Sequence, residues 1–223
     1  MKGTWALSSI CLLLSCNTNS SEKLFKEARQ LDSLGRYKEA IVVYDKILMI
    51  DENNIHALFD RAVDKGLVKD HEGELEDLME ILTLDSTNTL ALYNAGIALS
   101  NLNRHKESIT AFNKAVHTKG GEFLTLDHAP NSFMDKEYFI HDVPIADIKL
   151  ERGIAYYKAD SVRQAYFDLT YCIENNHRLK DSYYYRARTY LKSGMLKHAC
   201  QDLKMAERYG EKDAAEILNK YCR

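Results

Sequence analysis

Proline is nearly missing from this chain: there are two, Pro130 and Pro144, and both lie in one short stretch. The rest of the sequence is free of the residue that removes a helical hydrogen bond and breaks helices. An excess of one charge is missing too. Thirty Lys and Arg stand against 33 Asp and Glu, and the basic residues gather into no stripe, which excludes a nucleic-acid footprint. No apolar run reaches the roughly 20 residues that a bilayer-spanning helix needs. The mostly apolar run from Trp5 to Leu14 is too short.

Catalytic motifs are also absent. His71-Glu72 lacks the second histidine of a zinc-protease helix, and Gly120-Gly121 follows no strand and precedes no Lys-Ser, so it is no phosphate loop. His128 and His141 share a stretch with Asp127, Asp135 and Asp142, but their spacing matches no metal motif, and scattered surface residues are the plainer account. No catalytic residue, metal ligand or cofactor site is expected, and no small-molecule substrate.

What is present is a beat. A small residue recurs at Ala28, Ala62 and Gly96, then at Gly153 and Ala187. The gaps are 34, 34, 57 and 34, so one gap holds a full period and an insertion of 23 residues. Twelve places on stand Ala40, Glu74, Ser108, Ala165 and Ala199, mostly small. Sixteen on come Tyr44, Leu78, Phe112, Leu169 and Leu203, all large, and nineteen on Ile47, Ile81, Ala115, Cys172 and Ala206. Small residues where helices approach closely, with large apolar residues between them, predict a stacked array of helical hairpins.

These columns resemble the tetratricopeptide repeat family. Units 21–54, 55–88, 89–122, 146–179 and 180–213 follow its small residue at the eighth place, and the nearest stretches are Gly35-Arg-Tyr37-Lys-Glu-Ala40 and Ala91-Leu-Tyr93-Asn-Ala-Gly96. The resemblance implies an all-α, right-handed superhelix of about five hairpins (an α-solenoid) that binds proteins rather than catalysing reactions. It has departures: no unit carries the usual proline near its end, and unit two has Lys65 where an apolar residue is expected.

Turns support the boundaries. Ile50-Asp-Glu-Asn-Asn54, Leu84-Asp-Ser-Thr-Asn88 and Ile173-Glu-Asn-Asn-His177 each close one apolar helix and offer Asp, Ser or Asn to cap the next. Gly35 and Gly194 fall between the two helices of their hairpins. Residues 211–223 keep helical spacing and predict a capping helix over the last open face.

Residues 1–15 have the form of a secretory signal. Leu13-Leu14-Ser15-Cys16 resembles a bacterial lipobox, which implies that Cys16 carries palmitate-type acyl chains and that 16–20 form a short tether. A plain signal peptide with an incidental cysteine is the alternative. Acyl chains contribute about 0.8 kcal/mol per buried CH₂, so several hold a protein on a membrane. Asn17 implies outer-membrane delivery facing the periplasm, if sorting follows the enterobacterial pattern. Cys200 and Cys222 lie about 15 and 18 Å from a turn near Gly210, at similar heights on antiparallel helices. In an oxidising periplasm they can form a disulfide that fastens the cap; two separately buried thiols are the alternative. Cys172 sits in a packing column and reads as an inert core thiol.

The resemblance also places a concave groove on the first helix of each unit. Phe25, Phe59, Tyr93, Leu150 and Tyr184 stand there once per unit, with Arg29, Val63, Ile97, Ile154 and Arg188 four places on. This reads as a peptide groove with basic ends, or as ordinary packing of family aromatics. Of the Lys and Asn that grip a C-terminal carboxylate in some relatives only Asn94 qualifies, so that mode is not expected. The insertion, 120–145, carries Phe123, Phe133, Tyr138 and Phe139 and serves as a lid or partner surface, or packs on the solenoid edge. Two functions remain open. One is a membrane-tethered scaffold that binds a protein or peptide segment in the cell envelope; the other is a constitutive subunit of an envelope complex, docked through its convex side and insertion.

Overall fold

The computed structural model describes the backbone of residues 6–118 and 143–222, and side chains from residue 20 onward. Among the described residues there are eleven α-helices and no strand. They fall into two compact units, Met1–Ser86 and Thr87–Arg223. The first holds α1 (Ala6–Ser33), α2 (Tyr37–Ile50), α3 (Ile55–Leu67) and α4 (His71–Leu84). The second holds α5 (Thr89–Asn101), α6 (His105–His117), α7 (Ile145–Lys158), α8 (Val162–Glu174), α9 (Leu179–Lys192), α10 (Leu196–Arg208) and α11 (Asp213–Tyr221). Helices pair as consecutive hairpins, α1 with α2, α3 with α4, α5 with α6, α7 with α8 and α9 with α10. Within each unit the second helix of one hairpin also packs on the first helix of the next, and α11 packs on α10.

The 34-residue columns are the contacts of these hairpins. Ala28, Ala40, Tyr44 and Ile47 are fully buried in one cluster with Val43 and Ala57. A Cβ added at Gly96 would lie 2.6 Å from the Phe112 ring, and one at Gly153 would lie 3.1 Å from Leu169. The small column is therefore small because the large column of the returning helix presses against it. Burying each such large side chain contributes about 1.5–3 kcal/mol.

The hairpin turns keep the same beat. Gly35, Lys69, Asn103, Asp160 and Gly194 all have φ between 60° and 70°. In each turn the next amide reaches back over the helix end, as Arg36 N does to Leu31 O at 2.9 Å and Asp70 N to Lys65 O at 2.8 Å. Between hairpins, Asn54 accepts from Ala57 N at 3.1 Å and Asn88 from Ala91 N at 2.9 Å, as the turn sequences predict. The turn ending at His177 differs. Its helix starts after Arg178, which has φ 37° and caps with no side-chain bond. Arg178 instead donates to Glu151 and Asp181, at 2.9 and 3.0 Å.

Residues 16–20 lie inside α1, which runs from Ala6 to Ser33; no Gly or Pro interrupts them. Unit two folds as a hairpin despite Lys65, because the ammonium reaches Asp77 at 2.9 Å while the stem stays covered. Glu74, the large member of a small column, is accommodated by Gly66, where a Cβ would lie 2.9 Å from its carboxylate. Among the described residues no helix is long and apolar enough to cross a membrane. The insertion's Phe123, Phe133, Tyr138, Phe139, His128, His141, Asp127, Asp135 and Asp142 lie outside the described residues.

Candidate peptide-binding faces

In the first unit, Phe25 is half-buried against the α1–α2 core, with its ring edge-on to Tyr44 at 6.2 Å. Arg29 is exposed, its guanidinium 6.0 Å from the Phe25 ring centre. On α3, Phe59 is half-buried and Val63 is 40% exposed. These four residues leave part of their surface open on the first helices.

In the second unit, Tyr93 is half-buried 6.0 Å from Phe112. Burial, with the charges of Glu151 and Asp147 nearby, pushes its hydroxyl up to about 12. Ile97 is half-buried, and Asn94 donates its amide to Leu90 O at 2.8 Å within its own helix. Leu150 and Ile154 are core residues rather than groove surface. They are buried with Ala165, Leu169 and Cys172, because the α7–α8 interface covers the side of α7 that the same register leaves half-open elsewhere. Cys172 is an unbridged thiol that burial pushes up to about 12, far from a reactive thiolate. Tyr184 is half-buried on the α9–α11 core, and Arg188 lies over the rings of Tyr157, Tyr184 and Tyr185 at 4.9, 5.4 and 5.9 Å.

Beside these faces, α7, α9 and α11 line an open pocket of about 410 Å³. Next to Tyr221, one of its lining residues, Cys222 is joined to Cys200 in a disulfide with their Cα atoms 5.7 Å apart.

Two arrangements carry no mark in the columns described above. Arg61, Arg152 and Arg186 each form a two-pronged pair with an aspartate sixteen residues on, Asp77, Asp168 and Asp202, at 2.7–2.9 Å. Each also donates to the second helix of the preceding hairpin, at Asp45, Asn113 and Thr170 respectively. One arginine thus ties three helices together. The signal was available: Arg152 and Arg186 are 34 apart, and Arg61 stands at the same place in unit two.

The second arrangement is acidic. Tyr44 donates to Asp32 at 2.8 Å, and Asp60 and Asp64 on α3 are buried nearby. Burial and the Asp32 charge push the Asp64 carboxyl up to about 8. One oxygen of Asp32 and one of Asp64 are buried without a hydrogen-bond partner, and a protonated Asp64 can donate where a carboxylate cannot. Among the described residues no group of His, Cys, Asp and Glu is placed to hold a metal ion.

Residues 21–54 and 90–117 match the family model of the tetratricopeptide repeat. The match covers two of the hairpins, α1–α2 and α5–α6. No curated protein matches it in sequence, but solved repeat structures match its fold. YrrB, described as a tetratricopeptide repeat protein with an unusual peptide-binding site, is 16% identical with a TM-score of 0.69, over 92% of this chain and 97% of its own. MamA from Desulfovibrio magneticus RS-1 is 13% identical with a TM-score of 0.68, over 86% and 97%. PilW, described as a type IV pilus biogenesis factor, is 20% identical with a TM-score of 0.61, over 89% and 90%. At these identities the likeness is one of fold alone.

Proposed function

We propose that this chain is a lipid-anchored scaffold of the bacterial cell envelope that holds a segment of a partner protein against the first helices of its hairpins. The observation that carries the reading is a half-open face on the first helices within each unit, with Phe25 and Arg29, Phe59 and Val63 in the first, and Tyr93 and Ile97, Tyr184 and Arg188 in the second. Aromatic bases seated on a core with partly open edges suit an extended or helical segment. The fold agrees with that use, since YrrB has a peptide-binding site and PilW serves pilus biogenesis. The anchor rests on Leu13-Leu14-Ser15-Cys16, and the bridge between Cys200 and Cys222 suits an oxidising compartment.

Crosslinking in the native envelope, followed by capture, tests the scaffold. The double variant Phe59→Asp, Tyr93→Asp should lose the captured partner while its helical circular dichroism is kept. Retention of the partner would favour the second reading, a subunit docked through its second helices. That reading has its own support in exposed apolar side chains there: Val42, Met49, Met79 and Phe167 are 54%, 84%, 50% and 58% exposed. Labelling with a clickable palmitate tests the anchor. The parent should take up label and Cys16→Ser should not; equal labelling of both would sink the lipid assignment.

A further inference from the structure

Four arginines are half-buried among the described residues: Arg61, Arg152, Arg186 and Arg188. Three of them grip an aspartate with both prongs. Arg188 grips none. Its guanidinium lies over three tyrosine rings and faces the pocket between α7, α9 and α11, with no carboxylate partner among the described residues. Ring stacking satisfies the face of a guanidinium and leaves its N–H edge free to donate.

Two other residues of the pocket are basic. Lys220 lines it from α11, its ammonium 4.9 Å from the Tyr221 ring and in no ion pair among the described residues. Lys192 lines the side and is already committed, donating to Tyr157 O at 2.8 Å and Asp160 at 2.9 Å. One lining residue, Glu216, is acidic. Tyr157, Leu191, Ile217 and Tyr221 make the remaining wall apolar and aromatic. The volume, about 410 Å³, falls within the roughly 300–1,000 Å³ of specific ligand sites.

We infer that this pocket is the acidic-residue subsite of the scaffold: it receives an Asp or Glu side chain of an extended partner segment, held in a two-pronged pair by Arg188 and supported by Lys220. The inference rests on the peptide-scaffold reading and adds the chemistry of the peptide. The occupant is acidic because a half-desolvated arginine and an unpaired lysine face one acid, and a carboxylate matches the arginine's planar fork as three aspartates do elsewhere in the same fold. An aspartate or glutamate side chain brings a methylene stem that the tyrosine walls can cover. The site also depends on a covalent bond. Tyr221 lines the pocket and precedes Cys222, whose bridge to Cys200 pins the end of α11 to α10. Reduction frees that end and loosens the wall.

The test uses the full-length protein and three fluorescein-labelled decapeptides. The first alternates Glu and Ala and is amidated at its C-terminus; the second has Gln for every Glu; the third is the Gln peptide with a free C-terminal carboxylate. The Glu peptide should bind at least about tenfold more tightly than either Gln peptide, the scale of a charge-assisted pair. Arg188→Gln should remove that preference, Arg188→Lys should keep part of it, and the exposed Arg163→Gln should leave it unchanged. A reductant should weaken the Glu peptide alone, and rising salt should weaken it steeply. Thermal melts of each variant separate lost binding from lost folding. Equal binding of the Glu peptide and the amidated Gln peptide would overturn the inference, as would a preference that survives Arg188→Gln. Preference for the free-carboxylate Gln peptide would overturn it too, assigning the pocket to chain ends. If the native partner is still captured by crosslinking after Arg188→Gln, the scaffold stands and the subsite falls. If no partner is captured by the parent protein, the scaffold reading itself falls.

Discussion

At single residues, the fold turns on a few atoms of clearance. Gly96 has no Cβ because the buried Phe112 ring occupies that space, 2.6 Å from where one would be. Gly96→Ala gains helix propensity worth up to about 1 kcal/mol, yet it forces a fully buried ring to move. It should destabilise the protein by about 1–3 kcal/mol in urea unfolding; a neutral or stabilised variant would show that the ring yields. Asp64 makes a different demand. Its carboxyl titrates near 8 in the folded chain, well above its ordinary value. Between those two values the folded state holds a proton that the unfolded state has released, so stability is fully present at low pH and falls as pH rises towards 8. Asp64→Asn keeps the shape without the titration. Its melting temperature, relative to the parent, should rise between pH 5 and 8 and level off above that; a pH-independent difference would exclude a raised Asp64 titration.

At the level of helices, the arginine clamps decide how one hairpin meets the next. Asp202 is 6% exposed and paired with Arg186. Arg186→Met alone leaves that carboxylate buried and unpaired, and should cost about 3–5 kcal/mol. Adding Asp202→Leu should recover most of the loss, because a well-packed apolar pair replaces buried ions at little cost. Denaturant titration of both variants measures this, and a double variant as weak as the single one would mean that packing, not charge, was lost. The hairpins were legible in the sequence because complementary volume repeats in every unit: Ala28 against Tyr44, Gly96 against Phe112. The clamps share the period but skip two units, where Glu27 and Ala95 stand in the arginine's place, so no unbroken column announces them. Leu150 and Ile154 could not be separated from Tyr93 and Ile97 by register. A helix's spacing says which residues share a face, and only the neighbouring helices say how much of that face they cover.

At the level of the molecule, within each of the two units, a hairpin touches mainly the ones beside it, so disturbance should stay local. The disulfide closes a separation of 22 residues and should contribute about 3 kcal/mol. After reduction, hydrogen exchange should quicken in α10 and α11 while amides of α2 and α3 keep their rates. Uniform acceleration would contradict local coupling. The acidic-residue subsite would loosen with α11, which links partner affinity to the redox state of the compartment.

The third arm of each arginine clamp has a consequence for how such a chain can lengthen. An incoming arginine finds an acceptor in the preceding hairpin at Asp45, Asn113 or Thr170. The same place in α4 is Met79, and the hairpin after it begins without an arginine. In α10 the place is held by Lys204. A copy of any clamped hairpin, set down after α10 by gene duplication, would bring its guanidinium to a like charge. A copy following α2, α6 or α8 would find an acceptor for its arginine, whereas one following α10 would meet a lysine in that place.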